Sequence, residues 1–231
     1  MKPKNSYSGH RYPKEIISHV VWLYHRFTLS FRDIEDILAY RGIQVSYETI
    51  RQWCLKFGKL YARKLRNKHG IKSDRWFLDE VFLTINGRLH YLWRAVDQDG
   101  EVIDILVQKR KDKRAALIFF KKLLKKQGRV PFELMTDKLK SYGSAKEESM
   151  PSVTHIQAHY SNNRAENSHQ RTRQQERQMR GFKSHKQAQL FLSVHGQVNN
   201  LFNLGRHLMR AKNYRMFRER AFNEWAVISC A

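Results

Sequence analysis

At 231 residues the chain can bury a sizeable core, as one domain or as a small module joined to a medium one. Its 44 Lys and Arg against 21 Asp and Glu leave a formal charge of +23, an excess that points to a polyanionic partner, nucleic acid before an anionic membrane surface. Apolar residues at 41% and aromatic residues at 12% exclude a disordered basic tail, and the lack of any run near ~18 apolar residues excludes a membrane span. With only Cys54 and Cys230, a disulfide framework is excluded and a reducing cytoplasm is the expected compartment.

The charge is spread unevenly. Residues 1–68 hold 14 basic and 5 acidic side chains, 69–159 hold 17 and 12, and 160–231 hold 13 and 4, so the net charges are +9, +5 and +9. A basic protein that gathers its carboxylates in the middle can need them for metal or acid/base chemistry.

Helical spacing of apolar residues from Tyr12 to Phe27, with Pro13 in the first turn, predicts one helix. Ser30 and Asp33 form a capping-box start for a second, short helix that ends near Gly42. Ser46 can cap a third, in which Ile50, Trp53, Cys54 and Phe57 face inward. This is the helix-turn-helix pattern, and it would place Tyr47, Thr49, Arg51, Gln52 and Lys56 of the third helix where they reach base edges or phosphates. A three-helix cap with no DNA role has the same pattern; the +9 over this segment favours DNA.

From Arg75 the period changes. WFLDEVFLTI, RLHYLWRAVD and EVIDILVQ, separated by Asn86-Gly87 and Gln98-Asp99-Gly100, predict three consecutive antiparallel strands. Asp112 to Gln127 reads as an amphipathic helix with a solvated lysine face. A short strand ending at Asp137, a polar helix, a strand near Val153 to His159 and a long basic helix from Asn163 to about Arg180 complete the order βββ-α-β-α-β-α. The expected fold is therefore α/β and ribonuclease H-like, preceded by a small all-α module. The expected divisions are a helix-turn-helix module over 1–61, a linker over 62–73, a catalytic core over 74–200 and a basic helical tail over 201–231.

Three carboxylates stand out. Asp79 interrupts an apolar strand, where a charge is costly unless paired or bound to a cation. Asp137 ends its strand, where α/β sheets present functional groups, and Glu166 sits in the first turn of the last long helix. Singly they read as a salt bridge, a cap and a helix-dipole acid; together they could hold two Mg²⁺ ions for in-line attack on a phosphodiester, with Mn²⁺ able to substitute. Gln170, Arg173, Arg177 and Arg180 follow Glu166 on one helical face and could grip phosphates. Glu176 is off that face and reads as a salt bridge. His155 and His159, with no thiol nearby, do not make a zinc site.

The segments WFLDE (Trp76 to Glu80), HYLWRAVDQDGEVID (His90 to Asp104), TDKLKSYG (Thr136 to Gly143) and NNRAENSHQRTRQQERQMR (Asn162 to Arg180) resemble insertion-sequence transposases of the DDE class, in particular the insertion sequence six family. The resemblance implies an integrase/transposase catalytic core with Asp79, Asp137 and Glu166 as its triad. It matches Arg173 to a basic residue that follows the glutamate in such enzymes, and Lys138 and Arg164, close to two of the acids, join the expected DNA contacts. It also implies binding of terminal inverted repeats, Mg²⁺-dependent 3′-end nicking, joining to target DNA with cointegrate formation, and at least a homodimer on double-stranded DNA, with no membrane partner. Between Asp137 and Glu166 lie 28 residues, fewer than the family pattern leads one to expect. A helix-turn-helix regulator or an inactive remnant of a transposase is the competing reading; the first leaves the acids without a purpose.

Overall fold

The computed structural model describes residues 6–69, 74–137, 140–157 and 172–230. They form two compact units, 1–65 with 198–231, and 66–197.

In the first unit, α1 (Lys14–Arg26) buries Ile17, Val20, Val21, Leu23 and Tyr24. The capping box that opens α2 (Phe31–Tyr40) is formed: Asp33 N–H donates to Ser30 Oγ at 3.1 Å and Ser30 N–H to Asp33 Oδ2 at 2.7 Å. Two orphan amide donors of the helix start are thereby satisfied. Gly42, at φ 75°, supplies the left-handed residue that ends the helix. α3 (Tyr47–His69) is capped by Ser46, whose Oγ accepts from Thr49 N–H at 3.4 Å.

Two expected boundaries shift. Apolar spacing continues past residue 61 through Ala62 and Leu65, both buried, so α3 runs to His69 through most of the segment read as a linker. The C-terminal helix, labelled α8 here (Ala211–Cys230), is part of the helical unit and not a separate tail. Its Trp225 lies edge-on to Tyr61 at 5.3 Å, its Phe222 meets Trp22 at 5.2 Å, and Ile228 O accepts from Lys64 Nζ at 2.9 Å.

The second unit is built on β1 (Arg75–Ile85), β2 (Arg88–Val96), β3 (Val102–Gln108), β4 (Glu133–Thr136) and β5 (Thr154–Gln157) in the spatial order β3-β2-β1-β4-β5. The β1–β2 and β2–β3 pairs are antiparallel, β1–β4 and β4–β5 parallel. Asn86 and Gly87, both at positive φ, make the tight turn of the first hairpin. α4 (Lys113–Gln127) is capped by Asp112, which accepts from Ala115 N–H at 2.8 Å, and ends at left-handed Gly128. α4 and α5 (Lys140–Ser149) cover one face, where Trp76, Leu78, Trp93, Phe119, Phe120 and Tyr142 form the core. Alternation along β1 puts Phe77, Asp79, Val81 and Leu83 on the other face. There α7 (His185–Phe202) approaches so closely that a Cβ at Gly196 would lie 3.2 Å from Val102 Cγ1. The element order and the mixed sheet are those of the ribonuclease H-like fold read from the sequence.

The lysine face of α4 is not simply solvated. Asp104 on β3, nearly inaccessible, pairs with Lys122 at 3.0 Å and Lys126 at 2.6 Å. The sheet carries a carboxylate on the α4 side, and long lysine stems reach it.

The last basic helix is described over 172–178 (α6). Past β4 the edge of β1 is open, and this segment covers it: Glu176 Oε1 accepts from Thr84 N–H at 3.0 Å, and Asn86 N–H donates to Phe182 O at 2.8 Å. Glu176 thus caps a strand edge, and among the described residues it forms no salt bridge. The helix stops before Arg180, which turns at φ 52° followed by Gly181 at 77° so that Phe182 can bridge to Ile85. The expected one-face stripe therefore breaks at Arg180.

Candidate active site

β1 and β4 run parallel and in register from Arg75 opposite Glu133 to Leu78 opposite Thr136. Asp79 is the next residue of β1, in mid-strand, and Asp137 is the first residue after β4, at the carboxyl end where open α/β sheets present their chemistry. The carboxylates of Asp79, Glu80 and Asp137 each place an oxygen within 4.8 Å of the others.

Three carboxylates that close repel one another, and the surroundings answer with cations and donors. Asp79 faces Arg94 across the β1–β2 register. The Arg94 guanidinium is wholly buried, and burial draws its pKa down to about 10 against the opposing pull of Asp79. Glu80, which the sequence reading did not single out, turns toward α5: Tyr142 O–H donates to Oε2 at 2.7 Å and Lys111 is ion-paired to Oε1. Burial raises the Glu80 carboxyl above its ordinary value, the Lys111 and Tyr142 contacts pull it back, and the Asp137 charge pushes it up further. The signal in the sequence was a second acid directly after Asp79 in an apolar strand.

A set of hard carboxylate oxygens at this spacing fits Mg²⁺ or Mn²⁺, not a soft ion. His155 is engaged elsewhere. Its Nε2 lies 2.9 Å from Thr136 Oγ1, and its pKa is lowered by burial, then by Lys146, which keeps it neutral and structural.

Of the expected site residues, Asp79 and Asp137 are brought together. Glu166, Lys138 and Arg164 lie outside the described residues, as do Gln170 and His159. Arg173 and Arg177 are exposed on α6, and Arg180 is exposed in the turn after it. On α3, Tyr47, Arg51, Gln52 and Lys56 are exposed and Thr49 half-exposed. Arg51 is forked onto Glu48, with Nε to Oε2 at 2.8 Å and NH2 to Oε1 at 2.7 Å, and Gln52 donates to Glu48 at 3.2 Å. Arg32 lies over the Tyr47 ring at 4.5 Å, and Lys56 Nζ is 2.8 Å from His10 Nε2.

A family model described as a DDE domain matches residues 73–204, more than half of the chain and all of the sheet. The chain belongs to the DDE-domain transposases. Its relatives include the transposase for insertion sequence-like element IS431mec of Staphylococcus aureus (strain Mu50 / ATCC 700699), 34% identical over 137 residues that make up 59% of this chain and 61% of the relative. The transposase for insertion sequence element IS257 in transposon Tn4003, also of Staphylococcus aureus, is 33% identical over the same share of each chain. The chain thus spans about 61% of the length of the curated relatives it matches. Among solved structures, the HTLV-2 integrase catalytic core domain in complex with magnesium overlaps 62% of this chain and 93% of its own, at 12% identity and a TM-score of 0.40. No helix among the described residues is long and apolar enough to cross a membrane.

Proposed function

We propose that this DDE-domain chain is a DNA transposase that binds the terminal inverted repeats of its own element, nicks their 3′ ends and joins them to target DNA, forming a cointegrate. The observation that carries this reading is the convergence of Asp79 and Asp137 from adjacent parallel strands in a chain of this family.

Asp79 and Asp137, with Glu166 as the third acid, would hold the divalent ions. Two Mg²⁺ ions bound there would activate a water or a 3′-hydroxyl and stabilise the leaving oxygen of the phosphodiester. Glu80 has a different part: with Tyr142 and Lys111 on its two oxygens, it fixes the middle of β1 against α5 and sets the position of Asp79. Arg173 and Arg177, exposed on the helix that follows Glu166, contribute cations to the phosphates flanking the scissile bond. The α3 residues Tyr47, Thr49, Arg51, Gln52 and Lys56 read the element ends. Joining two ends to one target calls for at least two copies on the DNA.

The test is strand transfer of a labelled element-end duplex with Mg²⁺ or Mn²⁺. Alanine at Glu166 is expected to abolish joining while leaving binding of the duplex intact; joining at the wild-type rate would remove Glu166 from the triad. Metal-dependent joining absent from the wild-type chain, with specific duplex binding retained, would instead identify a regulator or an inactive remnant.

A further inference from the structure

The helix α8 is longer than the core it serves. Ala221, Trp225 and Ile228 in its second half are buried in the helical unit. Its first half, 211–220, is exposed apart from a half-buried Tyr214, and Leu208, in the short 3-10 turn before it, is 80% exposed. Between Arg206 and Arg220 stand six cations and one carboxylate, Glu219. Lys212, Arg215 and Arg218 recur at intervals of three, a spacing at which like charges repel and weaken the helix unless an anion lies across them.

The arginines are also arranged on rings. Arg206 and Arg218 lie over Tyr214 at 5.7 and 5.6 Å, and Arg220 over Phe217 at 5.7 Å. Stacking holds a guanidinium plane in place while its N–H groups stay available at the edge, the geometry that suits phosphate oxygens. A second copy of the same surface would bring six cations against six, which opposes self-association through it. An apolar partner would have to bury those cations unpaired.

We infer that 206–220 is a second DNA-binding surface, separate from α3, that grips the phosphate backbone of duplex DNA without reading its sequence. This rests on the proposal that the chain acts on DNA. A helix segment dominated by cations, with its arginines supported on rings, positions a duplex and adds affinity through phosphates, while α3 supplies the choice of sequence.

The experiment uses the full chain and two fluorescent duplexes, an element end and an arbitrary sequence, titrated across a salt series. In the triple variant Lys212→Ala, Arg215→Ala, Arg218→Ala the slope of log affinity against log salt is expected to become shallower by about 2 to 3, with binding at ~0.1 M salt tenfold or more weaker on both duplexes. These side chains are exposed, so the thermal midpoint should not change, and that measurement separates lost contacts from misfolding. A wild-type slope in the variant overturns the inference. So does a wild-type slope accompanied by a change in sedimenting mass, which would assign the surface to self-association, and so does a loss confined to the element end. Failure of the wild-type chain to bind any duplex is a different result, since it removes the proposed function itself and this inference with it.

Discussion

Asp79 follows Leu78, Asp137 follows Thr136, and Leu78 and Thr136 are the last register pair of two adjacent parallel strands. The parallel register therefore brings Asp79, within β1, beside Asp137, the first residue after β4, and their carboxylates converge there. Replacing either by Asn keeps the shape and removes the charge that holds a divalent ion. Joining is expected to fall by at least roughly three orders of magnitude, or about 4 kcal/mol of transition-state stabilisation, with duplex binding within about twofold of wild type. Joining within tenfold of wild type in either variant would remove that residue from the metal site.

Tyr142 offers a test of the buried support behind those acids. The substitution Tyr142→Phe keeps the ring in the core and strips the donor from Glu80 Oε2. A buried acceptor left without its partner costs about 1–3 kcal/mol, so the thermal midpoint should drop by roughly 2–4 °C for each kcal/mol at this chain length. Glu80 then keeps only Lys111, so Glu80→Gln should cost less in the Tyr142→Phe background than in wild type. If the double variant is no more stable than the sum of the singles predicts, Glu80 and Tyr142 are not coupled as described.

The fold was largely legible because its cues are local. Ser30 with Asp33, Asn86-Gly87 and Asp112 are cap and turn signals that act within a few residues, and each forms in the structure. What the sequence left hidden depends on contacts distant along the chain. Glu80 acquires its role from Tyr142, 62 residues away, and Glu176 caps a strand edge 92 residues back at Thr84. The pairing of Lys122 and Lys126 with Asp104 is equally invisible to helical periodicity, which sees only a cationic outer face. The α8 helix joined the N-terminal unit for the same reason: Trp225 meets Tyr61 only after folding. Of the candidate site, two acids followed from strand position, and the third rests on the family resemblance together with the helix start that the sequence pattern predicts for it.

Lys126 makes a pH prediction. Burial lowers its pKa from the ordinary 10.5 to about 8; Asp104 pulls it up and the Arg66 charge pulls it down. A folded value below the unfolded one means that the unfolded chain binds more protons between pH 8 and 10.5, so stability rises with pH across that window. The contribution is complete above the unfolded value and is lost as pH falls through about 8. Urea unfolding of wild type and Lys126→Met at about pH 7.5 and about pH 9.5 measures it, because the other lysines cancel in the difference. Wild type is expected to gain on the variant at the higher pH, and a pH-independent difference would show that Lys126 titrates as an ordinary surface lysine.

Glu48 sits on the helix face assigned to DNA, where a carboxylate should oppose phosphate. Its hydrogen bonds from Arg51, and then from Gln52, hold its pKa at about 2, so it stays ionised at every working pH. Phosphate must therefore compete with Glu48 for Arg51. The fork on Glu48 also fixes the direction of the guanidinium, a requirement for contacting one base edge and not any passing phosphate. Glu48→Gln removes the competitor and the aim together. Binding of an arbitrary duplex is expected to tighten about threefold to tenfold at low salt, with a salt slope steeper by about 1, while the preference for element ends over arbitrary DNA declines. Arg51→Ala should act in the opposite sense on affinity and lose the same preference. If both variants keep the wild-type preference for element ends, α3 is not the helix that reads them, and the sequence-reading surface lies elsewhere in the chain.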